Sequence, residues 1–247
     1  MFSFPSERRK YRLMPLFISS KDTHMFNLLH YYTTESVTAG HPDKVCDQIS
    51  DAILDAALTE DPKSRVAIEV VGSHGAMLIA GEIKTNANID FEKIARKVYT
   101  DIGYVDNLEI AVRVAKQSSD IAQGVDTGGA GDQGIMYGYA TDETKEFLPL
   151  GVVYAHALAR RLEELRRNGT PRWRRPDGKT QVTIKDGKVV TALCSTQHTE
   201  EVTLEVVREG LIKHLFPQVL GDISGVEILV NPTGRFVQGG FDADAGL

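Results

Sequence analysis

Two cysteines, one tryptophan and no long hydrophobic run are the first features of this 247-residue chain. Cys46 and Cys194 stand far apart and in no CxxC pattern, which excludes a disulfide framework and a cysteine-based zinc site. They read as two reduced, buried thiols of a cytoplasmic protein. The longest apolar-leaning stretch, 147–159, is interrupted by Pro149, Gly151 and His156. It falls short of the ~20 residues that a membrane span needs. A basic excess is lacking too. The 28 Lys and Arg face 34 Asp and Glu, a formal charge of −6, which argues against a nucleic-acid binder. There is no G-x-x-x-x-G-K-[ST] loop, no G-x-G-x-x-G fingerprint, no G-x-S-x-G elbow and no H-E-x-x-H helix. At 42% apolar and 25% charged, the composition is that of an ordinary globular protein with room for one large or two modest domains.

Residues 1–30 differ from the rest. Arg8, Arg9, Lys10, Arg12 and Lys21 outweigh Glu7 and Asp22, and no helical or strand period is visible. The segment lacks the apolar centre of a signal peptide. It reads as a disordered leader or one ahead of a true start at Met25, with a basic targeting peptide as the alternative.

From Tyr31 the pattern is regular. Residues 31–37 read as a strand, and 44–60 as a helix with Val45, Ile49, Ala52, Ile53 and Ala56 on one face. Strands 65–72 and 76–84 flank the turn Gly72-Ser73-His74-Gly75. A helix over 90–102 is stopped by Gly103, and a strand covers 108–115. A loop rich in Gly, Ser and Asp follows. Then the same order recurs: strand 132–140, helix 151–168, strands 181–185 and 188–196 joined by Asp186-Gly187, helix 202–215 and strand 225–230. The spacing predicts an α+β fold of two β-α-β-β-α-β blocks, each with helices on one face of a sheet. The run 196–200 reads as a strand-to-helix turn, and 232–247 as a segment that stops without completing an element.

Four clusters carry chemistry. Gly40-His41-Pro42-Asp43-Lys44 opens the first helix, because Pro42 suits the first helical position. A helix N-terminus favours phosphate, and Asp43 beside it suits a Mg²⁺ bridging to phosphate oxygens. The plainer alternative has Asp43 complementing the helix dipole and His41 as an exposed cap. The glycines of Gln123-Gly124-Val125-Asp126 to Gly134 read as a linker or as a gate over a substrate. Arg174-Arg175-Pro176-Asp177-Gly178-Lys179 reads as a solvated basic turn or as a concentration of site charges. In Asn231-Pro232-Thr233-Gly234-Arg235-Phe236, Arg235 is a surface residue or a bidentate phosphate clamp.

Together, the stretches Thr34-Glu-Ser-Val-Thr-Ala-Gly-His-Pro-Asp-Lys44, Gly81-Glu-Ile-Lys-Thr85, Gly129-Ala-Gly-Asp-Gln-Gly134, Arg175-Pro-Asp-Gly-Lys179 and Asn231-Pro-Thr-Gly-Arg-Phe236 closely resemble the S-adenosylmethionine synthetase family. They occur in family order and span 31–247 almost continuously. The resemblance implies synthesis of S-adenosylmethionine from ATP and L-methionine, with release of phosphate and diphosphate. It implies two Mg²⁺ per site and activation by K⁺. It further implies three similar α+β domains about a pseudo-threefold axis, two of them present here, and a homodimer or homotetramer with active sites between subunits. The matching ranges are an N-terminal domain over 31–117, a mobile active-site loop over 118–131, a central domain over 132–238 and the start of a third over 239–247.

Carried over by residue, the resemblance places His41 at the ATP phosphates as the main catalytic group, with Lys179 and Asp132 also catalytic. Asp177, Lys179, Arg235, Phe236 and Asp244 would bind ATP. Glu82, Gln123 and Asp244 would bind methionine. Asp43 would hold Mg²⁺ and Glu69 would hold K⁺. Ala39 departs from the family's acidic residue, and the stretch 126–131 is shorter than in many members. The family continues past Leu247 into a cation-rich segment and a further Asp, so this chain alone is not expected to complete a site. Two readings compete with the enzyme: a truncated non-catalytic subunit that pairs with a full-length synthetase, and an α+β nucleotide-binding module with a Mg²⁺-phosphate site at Pro42.

Overall fold

The computed structural model describes residues 31–116 and 134–247. The leader 1–30, the loop 118–131, Gln123 and Asp132 lie outside the described residues. The elements are β1 (Tyr31–Val37), α1 (Pro42–Glu60), β2 (Arg65–Ser73), β3 (Ala76–Lys84), α2 (Phe91–Ile102), β4 (Glu109–Lys116), α3 (Leu150–Arg167), β5 (Arg174–Lys185), β6 (Lys188–His198), α4 (Leu204–His214), α5 (Phe216–Leu220) and β7 (Glu227–Val230), then a 3₁₀ turn (Gly240–Asp242).

Each sheet is built on a hairpin and a crossover. Asp186 and Gly187 both have positive φ (49° and 73°), the conformation that a two-residue hairpin turn requires, and they join β5 to β6. His74 and Gly75, at 45° and 76°, join β2 to β3 in the same way. From each hairpin a helical connection returns to a parallel strand, β4 beside β3 and β7 beside β6. The sheets run β2-β3-β4 and β1-β5-β6-β7.

The expected placement of the first strand is corrected here. β1 lies along β5, from Tyr31 opposite Lys185 to Val37 opposite Lys179, so it belongs to the second sheet. The expected strand at 132–140 does not form over its described part: 134–140 is exposed, irregular chain. Its glycines and unburied aromatics explain this, since Tyr137 and Tyr139 find no face to pack on. β5 begins at Arg174, seven residues before the expected start, so the supposed basic turn is strand with Arg174 and Asp177 buried. β6 runs on to His198, so most of the expected 196–200 turn is strand as well. The short helix α5 was not foreseen.

The helices behave as their periodicity dictates. α1 buries Val45, Cys46, Ile49, Ile53 and Ala57, while Ala52 and Ala56 are only half-buried. α3 buries Ala155, Leu158, Leu162 and Leu165, and each leucine contributes about 1.5–3 kcal/mol by leaving water. Two cores result. One lies under α1 and α2 against Ile68, Val70, Met77 and Ile79; the other lies under α3 and α4 against Val182, Ile184 and Ala192. The other face of the β2-β3-β4 sheet carries Ala67, Glu69, Val71, Leu78, Ala111 and Arg113, all exposed. Both cysteines are buried and free. No helix among the described residues is long and apolar enough to cross a membrane.

Candidate functional site

α1 starts as the sequence requires. His41 is its N-cap, with extended backbone (φ −66°, ψ 138°), and Pro42 occupies the first turn. No side chain among the described residues caps the helix, whose positive end favours an anion, and Gly246 lies against its first turn, where an added Cβ would sit 2.8 Å from the Asp43 nitrogen. His41 is mostly buried, at 13% side-chain exposure, while Asp43 is 60% exposed. The two side chains approach to 3.7 Å, and buried His41 Nδ1 has no hydrogen-bond partner among the described residues. His41 is therefore not the exposed cap of the plainer alternative. Lys44 turns along the helix to Asp47, at 2.6 Å.

The second sheet brings further groups to this corner. Thr38 ties the approach to α1 onto β5: its N–H donates to the Gly178 carbonyl (2.9 Å) and its hydroxyl to the Pro176 carbonyl (2.7 Å). Gly40 lies so close to Pro176 that an added Cβ would sit 2.4 Å from it. Asp177 is consequently near His41. Burial pushes its carboxyl above the usual range and the nearby carboxylate of Asp244 adds to this, while the Gly240 N–H and the His41 charge pull it down. Lys179 follows on the same face of β5, half-exposed and 3.7 Å from Glu35.

Residues 231–247 wrap the same end of the molecule, held by three side chains to which the sequence analysis gave no role. Asn231 is bonded both ways to the Thr196 backbone. The buried His198 ring accepts from the Phe236 N–H at Nε2 (3.1 Å) and donates through Nδ1 to the Thr199 carbonyl (2.8 Å). Gln197 donates to the Val237 carbonyl (2.9 Å). No alternation marks 196–198, three consecutive polar residues that are all buried. Arg235 sits in a cleft of about 630 Å³ with His74, Gln238 and Asp242, and pairs with Glu200 at 2.5 Å. Beyond the 3₁₀ turn the chain bridges to β2, Gly246 with Gly72, and the Leu247 N–H reaches Asp43 at 3.4 Å. The segment expected to complete no element is thus docked.

The structure gathers His41, Asp43, Asp177 and Asp244 at one corner, with Lys179 beside it and Arg235 and Phe236 on the segment leading in. Glu69 and Glu82 stand elsewhere, on the face of β2 and β3 opposite α1, paired across the strands with Ala80 and Ala67. A cleft of about 1100 Å³ opens at the other end of α1 around Lys63, Arg65 and Phe91 and contains none of the expected site residues.

The corner offers an uncapped helix start, an imidazole, one exposed and one buried carboxylate, and nearby cations. Such a set suits a polyphosphate and its cation more than a nucleophile and base. The described residues hold no cluster of three or more His, Cys, Asp or Glu that would enclose a metal by themselves. A Mg²⁺ held by one or two carboxylates and by substrate phosphates fits the exposed Asp43.

Two family models match the chain: "S-adenosylmethionine synthetase, N-terminal domain" over residues 29–125 and "S-adenosylmethionine synthetase, central domain" over 127–236. The S-adenosylmethionine synthase of Clostridium tetani (strain Massachusetts / E88) is 46% identical over 250 aligned positions, which cover 87% of this chain and 63% of that protein. The chain thus spans less than two thirds of the relative's length. The conjunction of α+β fold, motif order and both domain matches leads to one conclusion: this chain belongs to the S-adenosylmethionine synthetase family.

Proposed function

We propose that the protein takes part in making S-adenosylmethionine from ATP and L-methionine. The observation that carries this reading is the corner where His41, Asp43 and Asp177 meet at the uncapped start of α1. The methionine sulfur attacks C5′ of ATP and triphosphate leaves, later to be hydrolysed to phosphate and diphosphate. A thioether has no proton to lose, so the site needs alignment and charge stabilisation and no general base. His41, little exposed and with Nδ1 3.7 Å from Asp43 but hydrogen-bonded to no described residue, meets the negative charge growing on the leaving oxygen. Asp177, Lys179, Arg235 and Phe236 hold the nucleotide, and Asp244 lies between the adenosine and the methionine amine. Asp43 is the Mg²⁺ residue, and bound Mg²⁺ supplies charge neutralisation on the triphosphate. Gln123 and Asp132 keep their proposed roles in methionine binding and catalysis.

Glu82, proposed for methionine, and Glu69, proposed for K⁺, lie on the sheet face turned away from α1. Glu69 lies there beside Ala67 and Leu78, with Glu82 on the neighbouring strand, and among the described residues no cluster of three or more metal-ligating side chains surrounds it. That face, with Val71 and Leu78 exposed, suits a second copy of the chain, which would bring Glu82 to the partner's corner and place active sites between subunits. Two buried free thiols suit a reducing cytoplasm.

The test is an assay of the full reading frame for methionine- and ATP-dependent triphosphate formation, repeated with His41→Asn. Asn is a good N-cap, so the fold holds. The rate should fall about 10²–10³-fold, the usual cost of losing one transition-state donor. An unchanged rate would overturn the role of His41.

A further inference from the structure

Tyr104 lies just past the C-terminus of α2, outside every motif of the site, and is 7% exposed. Its hydroxyl donates to the carbonyl of Gly40 at 2.5 Å, the residue before His41. Its ring stacks on Tyr99 (centroids 4.8 Å apart), which stacks in turn on Phe241 (5.8 Å). Gly240, with φ +62°, presses against the Tyr104 ring so closely that a Cβ would lie 2.6 Å from the phenol oxygen. The N–H of that same glycine donates to Asp177.

We propose that Tyr104 is a positioning residue: its phenol, bonded to Gly40 and wedged against Gly240, fixes the backbone carrying His41 relative to the backbone that meets Asp177 and leads to Asp244. Thr38 performs the matching task from the β5 side. Burial pushes the Tyr104 phenol above its ordinary pKa, which favours the protonated form that donates to Gly40. The consequence for nucleotide binding rests on the functional reading above; the positional claim does not.

The experiment compares wild type, Tyr104→Phe and Tyr99→Phe. Tyr99→Phe removes a neighbouring phenol from the same stack, bonded to Asp106 and not to Gly40, so it controls for loss of a buried hydroxyl. Native-state amide exchange is read at His41 and Gly240, whose N–H groups are both hydrogen-bonded. Affinity for a non-hydrolysable ATP analogue with Mg²⁺ is read by calorimetry. Tyr104→Phe should speed exchange at both amides and weaken the analogue about tenfold, the scale of one lost hydrogen bond. Tyr99→Phe should leave both readouts near wild type. Unchanged exchange in Tyr104→Phe, or equal loosening in Tyr99→Phe, overturns the proposal. If wild type expressed from the full reading frame does not bind the analogue, the functional reading falls while the exchange data still decide the positional claim.

Discussion

The carboxyl of Asp177 is 5% exposed and receives the Gly240 N–H, yet burial still pushes its pKa up. A raised acid in the folded state means that ionising it costs stability. The cost is absent at pH values below the ordinary carboxylate range, where both states are protonated, and is fully present above the raised pKa. Asp177→Asn keeps an acceptor for Gly240 and removes the charge. Its Tm should therefore exceed that of wild type at neutral pH, and the gap should close as pH falls through the carboxylate range. Thermal melts across pH check this, and a lower Tm for Asp177→Asn at pH 7 would contradict it. Affinity for the Mg²⁺-nucleotide should fall in the same variant, since a residue kept against its own stability cost is one that a ligand uses. At this scale the sequence was legible where chemistry clusters locally. His41 and Asp43 share a helix start; the strand that carries Asp177 and Lys179 was missed, because 174–179 looks like a basic turn. The sequence was not legible where one side chain works across distance: Tyr104 reaches Gly40 over 64 positions, and His198 reaches Phe236 over 38. Nor does any pattern mark Arg174 as a guanidinium buried in the second core, its Nη2 donating to the Leu162 carbonyl while Nε and Nη1 find no partner among the described residues.

Elements followed their periods closely where a period existed. The helices and the two hairpin turns came out near their expected bounds because burial on one face and positive φ at Asp186-Gly187 are local demands. The early start of β5 was hidden because Arg174-Arg175-Pro176-Asp177 looks like solvent-facing chain until β1 and β6 flank it. Docking of the 240–247 segment depends on a similar complementarity. Phe241 is almost fully buried, and its ring occupies the space above Gly72, where a Cβ would lie 2.2 Å from the ring's Cζ. Gly72→Ala should cost about 1–3 kcal/mol, the range for overpacking a core. Phe241→Leu shortens the opposing side chain. In the double variant the two losses should not add, because the leucine leaves room for the new methyl. Denaturant unfolding of the three variants decides it. Strict additivity would show that the close approach is not what Gly72 provides.

For the whole molecule, the sequence showed a doubled order but not the exchange within it. Each block supplies a hairpin and a parallel strand to its own sheet, while β1 crosses to the second sheet and closes the edge of β5. That crossing brings Thr38 to β5 and so places the start of α1 beside Asp177. Pairing between sheets is a long-range outcome, and no local period reports it. The face of β2-β3-β4 turned away from α1, exposed among the described residues, is the other whole-molecule feature. If it meets a second copy, Leu78→Glu at its centre should convert a dimer to a monomer by sedimentation velocity, with the fold intact by circular dichroism, because a charge there would be desolvated without a partner. A dimer unaffected by Leu78→Glu would move the interface elsewhere.

The proposed activity depends on what the start of α1 holds. Calorimetric titration of a non-hydrolysable ATP analogue into the protein, with and without Mg²⁺ and with and without L-methionine, tests it most directly. Binding should require Mg²⁺, tighten with methionine and weaken about tenfold or more in Asp43→Asn, the scale of a charge-assisted contact. Binding equally strong without Mg²⁺, indifferent to methionine and untouched by Asp43→Asn would contradict it.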